Sequence, residues 1–191
     1  MHQLIEKRWS PRAFSPQPVE DGKIRELFEA ARWAASCFNE QPWRFIYVAR
    51  GEEKLFGKLF DCLVDKNKLW VKTAPLLILT VARREFTHNG KPNRHAWHDV
   101  GLAMGNLTLQ AMSLGLYVHQ MAGFSVEKAR ENLNVPEGFD PVAMVAIGYP
   151  GDPEQLPEEL RKYEGAPRSR KPIEEIVFHG SWSPAVQPAL S

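Results

Sequence analysis

The apolar run APLLILTVA, Ala74 to Ala82, constrains the fold of this chain more than any other segment. A continuous apolar run of this kind is typical of a β-strand that is buried on both faces of a sheet. The run is too short to cross a bilayer as a helix, which needs about 20 apolar residues. The sequence therefore predicts a central strand with protein on both sides of it.

Helical and extended patterns alternate on either side of this strand. Apolar residues recur at helical spacing from Pro18 to Ala35 and from Lys54 to Val64, and Trp97 to Leu114 is apolar nearly all round, which predicts a buried helix. Strand patterns cover Arg44–Ala49, Leu116–Met121 and Val142–Tyr149, and a helix capped by Ser125 lies between the last two. We expect an α+β fold with a central mixed β-sheet flanked by helices.

Two segments do not fit this core. Residues 83–95, RREFTHNGKPNRH, are polar and without periodicity, which predicts an exposed and mobile loop. The tail regains a short apolar strand pattern, EEIVF, and carries Phe178, Trp182 and Leu190 far from the core. Such a tail needs a surface to lie on, and a second copy of the chain is the simplest candidate.

Length and charge exclude several classes of protein. The 191 residues suit one domain, and 24 Lys and Arg against 23 Asp and Glu give a net charge of only +1, which disfavours a nucleic-acid binder. The N-terminal MHQLIEKRWS lacks a signal-peptide core, so we expect a cytoplasmic protein without membrane attachment. The two cysteines, Cys37 and Cys62, form no disulfide framework.

The usual catalytic motifs are missing from the sequence. It contains no Gly-x-Gly-x-x-Gly, no P-loop and no Gly-x-Ser-x-Gly elbow. His95 and His98 have the spacing of two metal ligands but lack an evident third, so we expect no metal site. Cys37 is better explained as a small packing residue than as a nucleophile.

What remains is a set of arginines and amides in separate places. Arginine offers planar, permanently charged donors that match phosphate, and amides suit the edge of a heterocycle. Taken singly, each of these residues is equally consistent with a solvated surface or with packing. On spacing alone the pattern predicts no more than a site for a small phosphorylated ligand. Its members are Arg8, Ser10, Arg12, Asn39, Gln41, Trp43, Asn67, Trp70, Arg168 and Arg170.

Five stretches of the chain together resemble the nitroreductase family of FMN-dependent oxidoreductases. RWSPRAF resembles the segment that opens the family, and AARWAASCFNEQPWRFIYV resembles its Asn-x-Gln-Pro-Trp stretch, with Ala35 in place of the usual proline. WHDVGLAMGNLTLQAMSLGL is similar to the family's central helix, MAGF to its turn beneath the flavin, and RSRKPIEEIVF to its C-terminal element. The matches follow the family's order from Arg8 to Phe178.

The resemblance implies a cofactor site in which each residue has a role. Arg8, Arg168 and Arg170 would bind the FMN phosphate, Ser10 would hold the phosphate or ribityl side, and Trp9 would contribute its backbone. The pyrimidine end of the flavin would face Arg12, whose charge would favour the reduced ring. The ring edge would meet residues from two further segments and from the partner chain. These are Asn67, Trp70, Met121, Ala122 and Gly123 of one copy, and Ala35, Ser36, Cys37 and Asn39 of the other.

The resemblance also implies an activity and an assembly. FMN would take a hydride from NADH or NADPH and pass it to a nitroaromatic, quinone or related acceptor in a ping-pong reaction, without a catalytic residue from the protein. Two copies would share two flavin sites, with residues 1–171 as the domain and 172–191 as an arm and strand on the partner. Phe124, Trp97 and the 83–95 loop are candidates for the acceptor side.

Two alternatives remain open on the sequence alone. One is a specialised member of the same superfamily that fragments flavin, removes halogen or dehydrogenates its substrate, because fold resemblance does not fix chemistry. The other is a non-enzymatic flavin-binding protein in which the ring face is covered.

Overall fold

The computed structural model describes residues 1–182, and the expected contact of Leu190 lies outside them. Their helices and strands alternate along the chain in the order that the sequence patterns predict. The helices are α1 (Gln3–Lys7), α2 (Asp21–Arg32), α3 (Glu53–Cys62), α4 (Asp65–Val71), α5 (Ala96–Ser113), α6 (Val126–Leu133) and α7 (Glu158–Glu164). The strands are β1 (Trp43–Ala49), β2 (Leu76–Arg83), β3 (Tyr117–Met121) and β4 (Phe139–Gly148).

The four strands form one sheet in the order β1-β2-β4-β3. Every neighbouring pair in it is antiparallel, with Ile46 opposite Leu79 in the first pair and His119 opposite Ala146 in the last. The α+β class is thus confirmed, but the sheet of the described chain is antiparallel and not mixed. A parallel pair needs a crossover connection within the chain or a strand from another chain. Residues 1–182 contain no parallel pair in this sheet.

Strand β2 lies at the centre of the fold, as its continuous apolar sequence predicts. All of its residues from Leu76 to Ala82 are buried. Leu77 and Leu79 belong to a core shared with α3, α4 and α6, and Leu76 and Ile78 belong to a second core shared with α2 and α5. The alternation of side chains along a strand explains why one apolar run supports two cores.

The long helix α5 is only partly buried, which corrects the expectation of a fully buried helix. Ala103, Leu107 and Ala111 are completely covered, whereas Leu102 is 41% and Trp97 52% exposed. On its outer face, a β-carbon added to Gly101 or Gly105 would have no atom within 4 Å of it. The described chain therefore places no neighbour against these glycines, and an apolar helix face is left open.

Two further expectations about the chain's segments differ from the structure. The region after Glu53 forms two helices, because α3 ends at Cys62 and α4 follows after Leu63 and Val64. The EEIVF segment is not a strand in the single chain: Ile173–Glu175 is a 3-10 turn. A strand needs an edge to pair with, and no strand of the described chain takes up this segment.

The polar segment 83–95 is exposed over most of its length, as expected, but it has internal structure. Glu85 and Pro92 form an isolated antiparallel bridge, and Phe86 exchanges backbone hydrogen bonds with the 90–91 turn. Asn93, at the segment's end, is 5% exposed and accepts the backbone N–H of His95. Within residues 1–182 no helix has the length and apolar character to cross a membrane.

Candidate functional site

A cavity of about 520 Å³ lies between the outer face of α5, strand β3 and the N-terminal segment. Arg8 and Ser10 line it from the N-terminal segment, and Val118 and Gln120 line it from β3. The exposed face of α5 forms the other wall of the cavity, with residues that include Gly101, Leu102, Gly105, Asn106, Thr108 and Leu109. Its volume suits a cofactor-sized ligand.

Arg8, which lines this cavity, has two further arginines near it, Arg168 and Arg170. The Arg168 guanidinium donates to the backbone carbonyls of Arg8 and Glu6, both at 2.6 Å, and so joins the C-terminal segment to the N-terminal one. The Arg8 guanidinium donates to the Ser10 hydroxyl at 3.3 Å. Partial burial and the positive charges of Arg170 and Arg168 lower the pKa of Arg8. Like charges held this close favour an anion between them.

The N-terminal segment is fixed by a buried carboxylate at the end of α7. Glu164 is 6% exposed, and its oxygens accept the backbone N–H of Arg12 at 2.8 and 3.0 Å and that of Ala13 at 2.8 Å. The Arg12 guanidinium lies 5.9 Å from the centre of the Tyr163 ring. Charge-assisted bonds of this kind hold a backbone firmly, so the position of Arg12 depends on α7.

A half-buried histidine of β3 supports the same segment from the sheet. His119 Nδ1 lies 2.8 Å from the carbonyl oxygen of Pro11, and its ring centre is 4.5 Å from that of Trp70. Burial lowers the pKa of His119 to about 4, with the nearby Arg12 charge acting in the same direction. The ring is therefore neutral at pH 7, and Nδ1–H donates to the carbonyl. Trp9 packs edge-on against Tyr117 of the same strand, with ring centres 6.2 Å apart.

The turn after β3 approaches α4 closely. The Gly123 carbonyl accepts both the Asn67 side-chain amide at 3.0 Å and the Val64 backbone N–H at 3.1 Å. A β-carbon at Gly123 would lie 2.7 Å from Asn67 Nδ2 and 2.9 Å from Val64 Cγ2, so a larger residue here would displace the Asn67 amide or the Val64 methyl group. The hydrogen bonds of residues 1–182 include none donated by the Gly123 N–H, which leaves this donor for a ligand.

Three residues near this turn differ in what they offer to a ligand. Ala122 is exposed, whereas the side chain of Met121, at 4% exposure, belongs to the core. Trp70 is 2% exposed and lies between Phe14 and His119. Met121 and Trp70 therefore support the turn from the core, and their side chains offer no exposed surface to a ligand.

The segment from Ala35 to Gln41 lies apart from the cavity. None of its residues lines the cavity. Asp99, 2% exposed at the start of α5, accepts the Cys37 backbone N–H at 3.0 Å, and the Ser36 hydroxyl accepts the Gln41 N–H at 3.0 Å. The structure thus brings Arg8, Ser10, Arg168 and Arg170 together in one chain but leaves Ala35, Ser36, Cys37 and Asn39 at a different place.

Sequence reasoning missed the groups that position these segments. Glu164 lies in a charged stretch where nothing distinguishes it from Glu158 or Glu159, and Asp99 directly follows the candidate metal ligand His98. In the structure, His98 Nδ1 lies 3.2 Å from Asp99 Oδ1. Across residues 1–182 no three His, Cys, Asp or Glu side chains meet in a way that would hold a metal ion.

The structure is that of an α+β protein with an arginine-lined cavity at the sheet edge. Comparison with known proteins identifies the class of protein. The model of the nitroreductase family matches residues 5–68 and 57–149. The chain therefore belongs to the nitroreductase family, which confirms the resemblance and the expectation of an oxidoreductase.

Individual relatives agree with this membership. An oxidoreductase containing FMN has a crystal structure that superposes with a TM-score of 0.91 at 34% identity, covering 96% of this chain and 93% of that one. A nitroreductase family protein of Clostridium difficile 630 gives a TM-score of 0.72 at 26% identity, covering 95% and 99%. The NADH dehydrogenase of Thermus thermophilus is 28% identical over 90% of this chain and 92% of its own.

Proposed function

We propose that this protein is an FMN-dependent oxidoreductase that uses NADH or NADPH to reduce nitroaromatics, quinones or related electron-poor acceptors by a ping-pong mechanism. Family membership and the FMN-containing relative support the cofactor. The single observation that carries the proposal is that Arg8, close to the charges of Arg168 and Arg170, lines a cavity bordered by strand β3.

The arginines are assigned to the FMN phosphate. Arg8 and Arg170 would offer forked donors to its oxygens, and Ser10 would add a hydroxyl. Arg168 donates to two carbonyls of the N-terminal segment, so part of its role is to hold Arg8 in place. Binding a phosphate dianion would relieve the repulsion among these three charges.

The other end of the flavin is assigned to the Gly123 turn and to Arg12. The Gly123 N–H would donate to N5 of the ring, and the Asn67 amide, already bonded to the Gly123 carbonyl, would fix the direction of that N–H. Arg12 would stabilise negative charge at the pyrimidine end. Trp70 and Met121 would keep the turn in position from the core, and Trp9 would contribute backbone groups.

FMN, held by these residues, would supply the two-electron chemistry between NAD(P)H and the acceptor. The chain's own residues bind and orient the cofactor, and none of them needs to act as acid, base or nucleophile. This assignment is in keeping with the half-buried His119 ring being neutral and engaged with the Pro11 carbonyl.

The proposal includes a homodimer with both flavins at the interface. A second copy would bury the exposed face of α5 and the apolar residues of the tail. Among these, Ile176 is 61% and Trp182 84% exposed in the single chain. In this assembly residues 172–191 form an arm on the domain 1–171 of the other copy. Ala35, Ser36, Cys37 and Asn39 of one copy would then border the flavin of the other. A cytoplasmic location without a nucleic-acid partner remains part of the prediction.

Two measurements test the proposed function. The chromophore released from the purified protein by denaturation should be FMN and not FAD. Initial rates at several fixed acceptor concentrations should give parallel double-reciprocal lines for NADH or NADPH, as expected when the donor leaves before the acceptor binds. Intersecting lines would exclude the ping-pong order, and a colourless protein that gains no FMN on incubation would contradict the cofactor assignment.

A further inference from the structure

Gln120 lines the cavity from strand β3, and the proposed cofactor site gives it no role. Side chains alternate along a strand, so Val118 and Gln120 face the cavity, while His119 between them lies against Trp70 on the other face. The Gln120 side chain is exposed, and its amide can both donate and accept hydrogen bonds. A neutral polar group of both kinds therefore faces the cavity beside the arginines.

The other polar side chains of the cavity wall already form hydrogen bonds within the chain. The Ser10 hydroxyl accepts from Arg8 at 3.3 Å. The Asn106 amide donates to a carbonyl of α2 at 3.2 Å, and the Thr108 hydroxyl donates to a carbonyl of its own helix at 2.7 Å. The side-chain hydrogen bonds of residues 1–182 include none of Gln120. Its amide is therefore the group of this wall that is most available to a ligand.

Gln120 lies between the two ends of the proposed cofactor site. The N-terminal segment meets β3 where His119 contacts the Pro11 carbonyl, next to Ser10 and one residue before Gln120. In the other direction the strand leads into the Gly123 turn, about 10 Å from Gln120 in an extended chain. The proposed function puts the phosphate beside Ser10 and the flavin ring at Gly123, so the linker between phosphate and ring would pass Gln120.

The chemistry of that linker matches an amide. In FMN the ribityl chain joins the phosphate to the ring and carries hydroxyl groups, each of which donates and accepts hydrogen bonds as an amide does. We infer that Gln120 binds the ribityl hydroxyl groups of FMN, so that the site recognises the polyol chain in addition to the phosphate and the ring. The inference rests on the proposed function, which supplies the two ends of the site. A few well-placed polar groups of this kind determine which ligand a cavity selects.

The test compares FMN with an analogue that lacks these hydroxyl groups. In the phosphopentyl analogue an unbranched alkyl chain joins the phosphate to the same ring, so only the contacts of the chain hydroxyls are missing. The full-length protein is loaded with either compound, and the Kd is obtained from the fluorescence of released flavin over a dilution series. The quantity to compare between variants is the Kd of the analogue divided by the Kd of FMN.

Three variants separate the hydrogen bond from bulk and charge. Gln120→Leu should lower this ratio about three- to tenfold, the change expected for one neutral hydrogen bond, because only FMN loses affinity. Gln120→Glu should keep most of the wild-type ratio, since a carboxylate still accepts from hydroxyls and any repulsion of the phosphate weakens both compounds alike. The exposed Gln17→Leu, in the segment before α2, is the matched control and should leave the ratio unchanged.

An unchanged ratio in Gln120→Leu would overturn the inference. This includes an equal rise of both Kd values, which would assign Gln120 to the phosphate, the ring or the shape of the cavity. An equal fall of the ratio in Gln17→Leu would overturn it as well. A wild-type protein that takes up no FMN would contradict both the inference and the proposed function, whereas bound FMN that NADH and NADPH do not reduce would contradict the proposed function alone.

Discussion

Glu164 accepts the backbone N–H of Arg12 through both carboxylate oxygens, at 2.8 and 3.0 Å, across 152 positions of sequence. The same carboxylate accepts the Ala13 N–H at 2.8 Å. Helix α7, which ends at Glu164, therefore fixes the segment that carries Arg8 and Arg12. The charged region after Gly148 therefore holds the N-terminal segment in place beside the cavity, although it contributes little to the core.

Replacing this carboxylate should destabilise the protein. In Glu164→Ala the buried N–H groups of Arg12 and Ala13 lose their acceptor, which should lower the free energy of unfolding by about 1–3 kcal/mol. Urea unfolding of the purified protein measures the change. The exposed Glu131→Ala on α6 is the control and should stay within about 0.5 kcal/mol of wild type. Equal stability of Glu164→Ala and Glu131→Ala would show that these bonds contribute nothing.

Removing one arginine of the cluster should weaken FMN binding. In the proposed site Arg170→Ala would lose a charged donor to the phosphate, and the loss of such a hydrogen bond corresponds to an affinity about tenfold or more lower. The flavin-to-protein ratio after purification and extensive dialysis reports the effect, with the exposed Lys54→Ala on α3 as a charge-matched control. Full flavin occupancy in Arg170→Ala would remove this residue from the phosphate site.

The stability of the chain should fall in mild acid because of His119. Its pKa is about 4 in the folded protein against an ordinary value of 6.5, so the unfolded chain binds the proton first as the pH falls. Stability is therefore full above pH 6.5 and is lost between 6.5 and 4, by roughly 3 kcal/mol since one pKa unit is about 1.4 kcal/mol.

Urea unfolding of wild type and His119→Gln between pH 7 and pH 4 checks this expectation. The variant lacks the titrating ring, so its stability should depend less steeply on pH across that interval. A pH dependence identical to that of wild type would mean that His119 is not buried as a neutral ring.

Shortening the tail should break the proposed dimer. A chain that ends at Pro172 lacks the exposed apolar residues of the arm, among them Ile176 and Trp182, and we expect it to be monomeric and to lose flavin. Ile176→Asp tests the same contact without shortening the chain and should shift the equilibrium toward monomer. Light scattering with simultaneous absorbance detection measures mass and flavin together. A shortened chain that elutes as a flavin-loaded dimer would refute the assignment of the arm.

Some features of the fold can be predicted from the local sequence. The run Ala74 to Ala82 specifies a doubly buried strand because nothing polar interrupts it for long, and Ser125 caps α6 by accepting the Lys128 N–H. Arg8 and Arg170 could be associated only through the family resemblance, since they are far apart in sequence and no periodicity relates them.

Other features depend on contacts that the sequence does not encode locally. The pattern of α5 is apolar nearly all round, and only the tertiary structure decides that Ala103 is buried while Leu102 remains exposed. Glu164 and Asp99 look like surface acids until the chain folds and brings backbone N–H groups to them. The EEIVF pattern predicts a strand, but no strand of the described chain pairs with this segment.

The most direct test of the central claim is anaerobic reduction of the purified, FMN-loaded protein. On addition of NADH or NADPH the yellow colour should bleach, and subsequent addition of an oxygen-free quinone should restore it while the quinone is reduced. A protein whose flavin stays oxidised with both nicotinamides would contradict the account, whatever its fold and its flavin content.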